Sequence, residues 1–221
     1  IDLGTNGEIV VGNRDKIICA STAAGPAFEG AKISQGMRAT TGAISSIIFK
    51  NGKLQAHVIG NVKAKGICGS GLIDAMAILL QQEKIGMFGE INSGEDKINL
   101  TNKVSITQQD IREFQLAKAA IAAGLQILLN QLNISFTEIE NVFIAGGFGN
   151  FLNIRHVIQT GLIETQEDKI VKLGNTALIG AKMFLFKDEQ FIRDILNKTT
   201  HLNLEADLSF QDIYIEKLML A

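Results

Sequence analysis

A short stretch at the start of the chain, Asp2-Leu3-Gly4-Thr5-Asn6-Gly7-Glu8, concentrates groups able to hold a phosphorylated ligand. The backbone N–H groups of Gly4 to Gly7 can converge on an anion as a nest. Thr5 adds a hydroxyl, and Asp2 supplies a carboxylate suited to a hydrated hard cation such as Mg²⁺. The same residues also spell an ordinary hairpin. Asn6-Gly7 between β-prone runs favours a type I′ turn, followed by a strand through Glu8-Ile9-Val10-Val11. The local sequence leaves both readings open.

A second glycine-rich stretch lies far downstream. Asn141-Val142-Phe143-Ile144-Ala145 reads as a strand running into Gly146-Gly147-Phe148-Gly149-Asn150, with a helix expected over 152–159. Open α/β sheets bind ligands at such turns, beyond the carboxyl ends of their strands. Bare glycine backbone lets a ligand lie close, and Asn150 can cap the next helix or bond a ribose or phosphate. A glycine turn needed only for packing fits the same letters.

Two further stretches are ambiguous. Ser21 to Ala31 is small and apolar apart from Glu29, and it holds the chain's only proline, Pro26. Pro26 suits the start of a short helix, and the lack of bulk lets something large approach the backbone. Gly69-Ser70-Gly71 opens a helix and could bind an anion, but the third glycine of a dinucleotide fingerprint is replaced by Asp74. Close helix packing accounts for these glycines better.

The elements that must position these groups follow from periodicity. Residues 1–21 read as a three-stranded meander, and residues 42–60 as a hairpin around Asn51-Gly52. Leu72, Ile73, Met76, Leu79 and Leu80 fall on one face of a helix. Short strands are expected near 97–100 and 104–106. Thr107 and Asp110 then start a helix reaching about Leu132, with its apolar stripe on Ile111, Phe114, Ile121, Leu125, Leu128 and Leu132. Lys118 falls on that stripe. It either snorkels past the edge or reaches an anion in a cleft, with Gln115 as its neighbour. A strand at 169–174 leads through Asn175 into a helix whose Ala177, Gly180 and Ala181 suit close contact.

Composition narrows the function classes. With 46% hydrophobic and 20% charged residues in 221, the chain has the make-up of a folded domain with a sizeable core. A net charge of −2 offers no bulk attraction to nucleic acid or an anionic membrane, and no apolar run is long enough to span a bilayer. Cys19 and Cys68 stand far apart, and His57, His156 and His201 are scattered, so no metal-ligand spacing emerges. A reducing cytoplasm is the expected compartment. No nucleophile–base pair or carboxylate dyad suggests covalent catalysis.

In order, these elements make an α/β ribonuclease H-like (actin/hexokinase-like) half. Residues 1–221 would form one domain with a long α+β insertion at about 23–106. Five ordered motifs sharpen this into a resemblance: Asp2 to Glu8, Ala24 to Ala31, Cys68 to Asp74, Ala145 to Asn150, and Gly174-Asn175-Thr176-Ala177-Leu178. Together they resemble the C-terminal domain of reductive activators of corrinoid proteins, in the superfamily of acetate and sugar kinases, heat-shock chaperones and actin.

The resemblance implies ATP and Mg²⁺ as ligands and a corrinoid protein of a methyltransferase system as partner, returned from Co(II) to Co(I). It places Asp2 near Mg²⁺ through water, with Gly4, Thr5, Asn6, Gly7 and Glu8 near the phosphates. Gly146, Gly147, Phe148, Gly149 and Asn150 become the adenosine loop, Gln115 and Lys118 further nucleotide candidates, and 174–181 the helix joining two halves. Ser21, Thr22, Gly25, Pro26 and Glu29 are candidates for corrinoid approach. A first phosphate loop and a [2Fe-2S] domain are expected upstream, so the chain alone is expected to be inactive. A homodimer is also kept as an expectation. Two other readings stay open: a small-molecule kinase of the same superfamily, and a non-catalytic interaction or dimerisation domain.

Overall fold

The computed structural model describes residues 1–220. Strands β1 (Asp2–Leu3), β2 (Gly7–Gly12) and β3 (Ile17–Thr22) form the antiparallel meander. Alternation sets its orientation: Gly7, Ile9 and Val11 are buried, whereas Glu8, Val10 and Gly12 face outward. The first turn departs from expectation. Leu3 pairs with Gly7, so Gly4-Thr5-Asn6 is the connection, and neither Asn6 nor Gly7 has a positive φ. Packing explains Gly7, because a β-carbon there would lie 3.0 Å from Cγ1 of Ile121.

Residues 23–106 hold a second layer. Segment 26–31 is a set of turns rather than the expected short helix; the Pro26 carbonyl accepts from the amides of Glu29 and Ala31, both at 3.1 Å. Strands β4 (Ala43–Lys50) and β5 (Lys53–Val58) form the hairpin, and β6 (Gly66–Ile67) joins β4 in parallel. Here the turn does take the type I′ form, with positive φ at both Asn51 (52°) and Gly52 (74°). Helix α1 (Gly69–Gln81) is buried along all of Gly69–Leu79, not on one face only. Its glycines permit this: β-carbons on Gly69 and Gly71 would overlap the carbonyls of Phe28 and Ile44.

Strands β7 (Lys97–Asn99) and β8 (Ser105–Thr107) pair and lead into α2 (Gln108–Leu132). The Thr107–Asp110 capping box forms, a feature that stabilises a helix start by about 1 kcal/mol. Asp110 is buried and also accepts from the Ser34 amide (2.6 Å) and hydroxyl (2.7 Å), which pins that segment to the start of α2. Ile111, Phe114, Ile121 and Leu128 are completely buried beneath the sheet, each worth roughly 1.5–3 kcal/mol.

The chain then runs through β9 (Val142–Ala145), α3 (Gly146–Gly149), α4 (Ile154–Gln159), β10 (Ile170–Gly174), α5 (Thr176–Phe186), α6 (Glu189–Lys198), β11 (Thr199–His201) and α7 (Phe210–Glu216). The main sheet has the order β10-β9-β1-β2-β3-β11, with β9 parallel to β1 and β10, and β11 parallel to β3. The glycine turn is itself a helical turn, α3, so Asn150 closes it, and Asn153 caps α4 by accepting from the Arg155 amide. Asn175 caps α5 as expected, but the small residues of α5 meet nothing: a β-carbon on Gly180 would be in open space, and Leu185 and Phe186 stand 79% and 86% exposed. Val10 and Phe143, on the sheet face away from α2, are also exposed.

Candidate nucleotide-binding site

The two glycine stretches come together at the carboxyl ends of β1 and β9, which lie side by side with Asp2 paired to Ala145. Gly146 takes a φ of +83°, and a β-carbon there would overlap Oδ1 of Asp2. The Asp2 carboxylate thus rests on bare backbone at the start of α3. Gly147 is exposed, and a β-carbon on it would meet nothing within 4 Å. The two turns thus leave open space above one glycine and a carboxylate against the other.

A cavity of about 860 Å³ opens beside these turns. Its wall joins Leu3 and Gly4 from the first turn, Gly147 and Phe148 from the second, and Phe28 and Glu29 from the small-residue segment. Such a volume suits a nucleoside-sized ligand. Phe28 stacks on Phe148 with ring centroids 5.9 Å apart and 27° between planes, and it meets Phe114 edge-on. Glu29 accepts a hydrogen bond from the Thr5 hydroxyl at 2.5 Å, tying the first turn to the small-residue segment. Ser70, from the Gly69-Ser70-Gly71 stretch that the sequence offered as an anion site, also lines it, as do Met37, Arg38, Ser45 and Ser46, which the sequence did not single out.

The anion nest is smaller than expected, because the Gly4 amide donates to the Asn6 carbonyl (3.0 Å) and Gly7 lies within the β-ladder. Thr5, Asn6 and Glu8 are exposed around the turn. Asn150 is exposed, its side-chain amide beside Gly174, and Lys172 donates to the carbonyls of Asn150 (3.2 Å) and Leu152 (2.6 Å), bracing the end of α3.

Three candidates belong elsewhere. Lys118 is 2% exposed and donates to the carbonyls of Lys217 (2.8 Å) and Met219 (2.5 Å), while Gln115 donates to that of Leu218 (2.8 Å). Both side chains therefore anchor the C-terminal tail, 99 to 103 residues away in sequence, and neither lines the cavity. Burial, with Lys217 nearby, lowers the Lys118 pKa to about 8, against the opposing pull of Glu164. Thr22 is 3% exposed beneath α2, its Cγ2 against Gly124, so it cannot meet a partner. Ser21 is exposed opposite Glu8, and Gly25 and Pro26 are half-buried in a turn.

Behind the cavity, Asp74 joins three elements. Its Oδ2 accepts from the Ile47 amide (3.1 Å) and its Oδ1 meets Nδ1 of His156 (2.6 Å), linking α1, β4 and α4. Cys19 and Cys68 are free thiols. Among the described residues no group of three or more His, Cys, Asp or Glu is placed to hold a metal ion, and no helix is long and apolar enough to cross a membrane.

Comparison with known proteins agrees with this architecture. A family model described as the C-terminal domain of RACo, the ASKHA domain, matches residues 1–221. The chain is 38% identical over 248 residues to corrinoid activation enzyme RamQ of Eubacterium limosum, covering 99% of the chain and 42% of that protein. It is 31% identical over 243 residues to [Co(II) methylated amine-specific corrinoid protein] reductase of Methanosarcina barkeri, covering 98% and 45%. A solved structure of a reductive activator for corrinoid, iron-sulfur protein superposes with a TM-score of 0.87 at 37% identity, covering 99% of the chain and 39% of that structure. The chain thus spans less than half the length of these relatives. It belongs to the family of RACo C-terminal ASKHA domains, with their α/β fold.

Proposed function

We propose that the chain is the nucleotide-binding part of an ATP-dependent reductive activator that returns a Co(II) corrinoid protein to Co(I) for methyl transfer. The observation that carries this reading is that Leu3 and Gly4 of the first turn and Gly147 and Phe148 of the second line one cavity, with Asp2 against Gly146 beside it. The names of the relatives supply the reaction and the corrinoid substrate.

In this reading the aromatic pair Phe28 and Phe148 forms the apolar wall for the adenine and ribose. Gly147 leaves the backbone open to the ligand, and Thr5 and Asn6 face its phosphates. Asp2 would hold Mg²⁺ through water, and the cation would neutralise phosphate charge. The one electron that takes cobalt from Co(II) to Co(I) would be supplied by an iron–sulfur centre of the activator, in a reducing cytoplasm where Cys19 and Cys68 stay free.

The coupling is conformational. Glu29 and Phe28 each touch one of the two turns, so a ligand in the cavity biases the insertion as well as the core. The uncovered sheet face at Val10 and Phe143, together with the exposed apolar residues of α5, provides surface for a second half of the superfamily fold. The test uses the full-length natural protein, an oxidised corrinoid protein and a low-potential reductant. Growth of the Co(I) absorption band should require Mg-ATP, and Asp2→Asn should slow it at least tenfold. Equal reduction with and without nucleotide would overturn the proposal.

A further inference from the structure

Charge is distributed unevenly along this chain. Between Glu29 and Asp74 there is no acidic residue, while Lys32, Arg38, Lys50, Lys53, Lys63 and Lys65 are all basic. That segment carries +6 within a chain of net −2, so the rest, with 15 basic and 23 acidic residues of the 21 and 23 in total, stands at −8. In space the positive segment is the β4–β5 hairpin and its flanks.

Three features mark this surface as more than a solvated face. First, all six basic residues are exposed, and among the described residues only Lys32 forms an ion pair, with Glu113. Second, Lys50 and Lys53 face each other directly across the hairpin tip, a like-charge pairing that opposes strand association. Third, the outward face of the hairpin is continuous with the cavity. From Lys50 and Lys53 it runs over Ile48, 52% exposed, to Ser46, which lines the cavity as does Arg38.

We infer that the outward face of the β4–β5 hairpin is the docking surface for an acidic face of the protein substrate. The inference rests on the proposed function for the identity of that substrate, the corrinoid protein. Unpaired lysines raise the rate of encounter with a carboxylate-rich surface, and Ile48 supplies the apolar contact at its centre. Contact between this face and the cavity rim places the docked protein where nucleotide occupancy is sensed. Thin apolar content and the net negative charge of the whole chain disfavour a membrane or nucleic acid as the occupant.

The experiment measures binding of the full-length natural protein to its corrinoid protein by biolayer interferometry, with salt varied from low to high. The comparison is a Lys50→Glu, Lys53→Glu variant, and neither of these two residues lines the nucleotide cavity. Wild type should bind more weakly as salt rises. The variant should bind at least about tenfold more weakly through a slower association rate, with a flattened salt dependence and unchanged nucleotide affinity. Equal binding by wild type and variant overturns the docking surface alone. A variant whose principal loss is binding to duplex DNA or anionic vesicles assigns the patch to that ligand and also overturns it. Absence of corrinoid-protein binding by wild type overturns the proposed function, and the docking inference with it.

Discussion

Asp2 and Gly146 meet where no β-carbon fits: Gly146 has a φ of +83°, and its vacant β-position points into Oδ1 of Asp2. This pairing joins the ends of two parallel strands that are 144 residues apart in sequence and sets the carboxylate at the mouth of a helical turn. Gly146→Ala should therefore act on both levels. Strained backbone and the displaced carboxylate should cost about 1–3 kcal/mol in denaturant unfolding. Calorimetry should show Mg-ATP affinity at least about tenfold lower, roughly 1.4 kcal/mol.

The two stacked phenylalanines should separate in their effects. Phe28 is 3% exposed and packs against Phe114 as well as Phe148, so Phe28→Ala should destabilise the fold by about 3–5 kcal/mol. Phe148 is half-buried at the cavity wall, so Phe148→Ala should weaken nucleotide binding more than it lowers stability. Parallel melting and calorimetric measurements on both variants decide this.

Asp74→Ala should rank among the more damaging polar substitutions, at about 3 kcal/mol by chemical denaturation. It leaves the buried Ile47 amide and the His156 ring without their acceptor and loosens α1 from β4 and α4. Asp74→Asn, which retains one acceptor, should be milder.

Lys118 gives a pH signature of definite sign. Its folded pKa of about 8 lies below the ordinary lysine value of 10.5, so between these pH values the unfolded chain binds more protons than the folded one. Its contribution to stability should be least favourable below pH 8 and improve as pH rises toward about 10.5. Lys118→Met should remove this slope. It also strands the carbonyls of Lys217 and Met219, costing about 2–4 kcal/mol. Denaturant midpoints of both proteins from pH 7 to 10 test the sign.

Short-range patterns were legible where local physics decides. Alternation in Gly7–Gly12, the Asn51-Gly52 turn and the Thr107–Asp110 box each carry their own geometric requirement. Long-range partners were not. Lys118 on an apolar stripe posed the right question, but its answer lay in tail carbonyls that no spacing rule reaches. The first turn was misread because Gly7 serves Ile121 on α2 and not a positive φ. Thr199-Thr200-His201 is too short to announce itself as a strand, and its parallel pairing with β3 depends on the whole sheet. Of the nucleotide candidates read from sequence, Gly4, Gly147 and Phe148 line the cavity; Glu29, expected instead at the corrinoid approach, lines it too, whereas Arg38, Met37 and the serines of β4 join it only through the packing of residues 23–106.

The most direct test of the central claim is calorimetric titration of Mg-ATP into the full-length natural protein and its Gly147→Val variant. Gly147 lines the cavity, and a β-carbon on it meets no protein, so a side chain there enters the ligand's volume. If ATP occupies this cavity, wild type binds, and the variant keeps its melting temperature while losing at least about tenfold in affinity. Equal affinity in the two proteins would contradict the account.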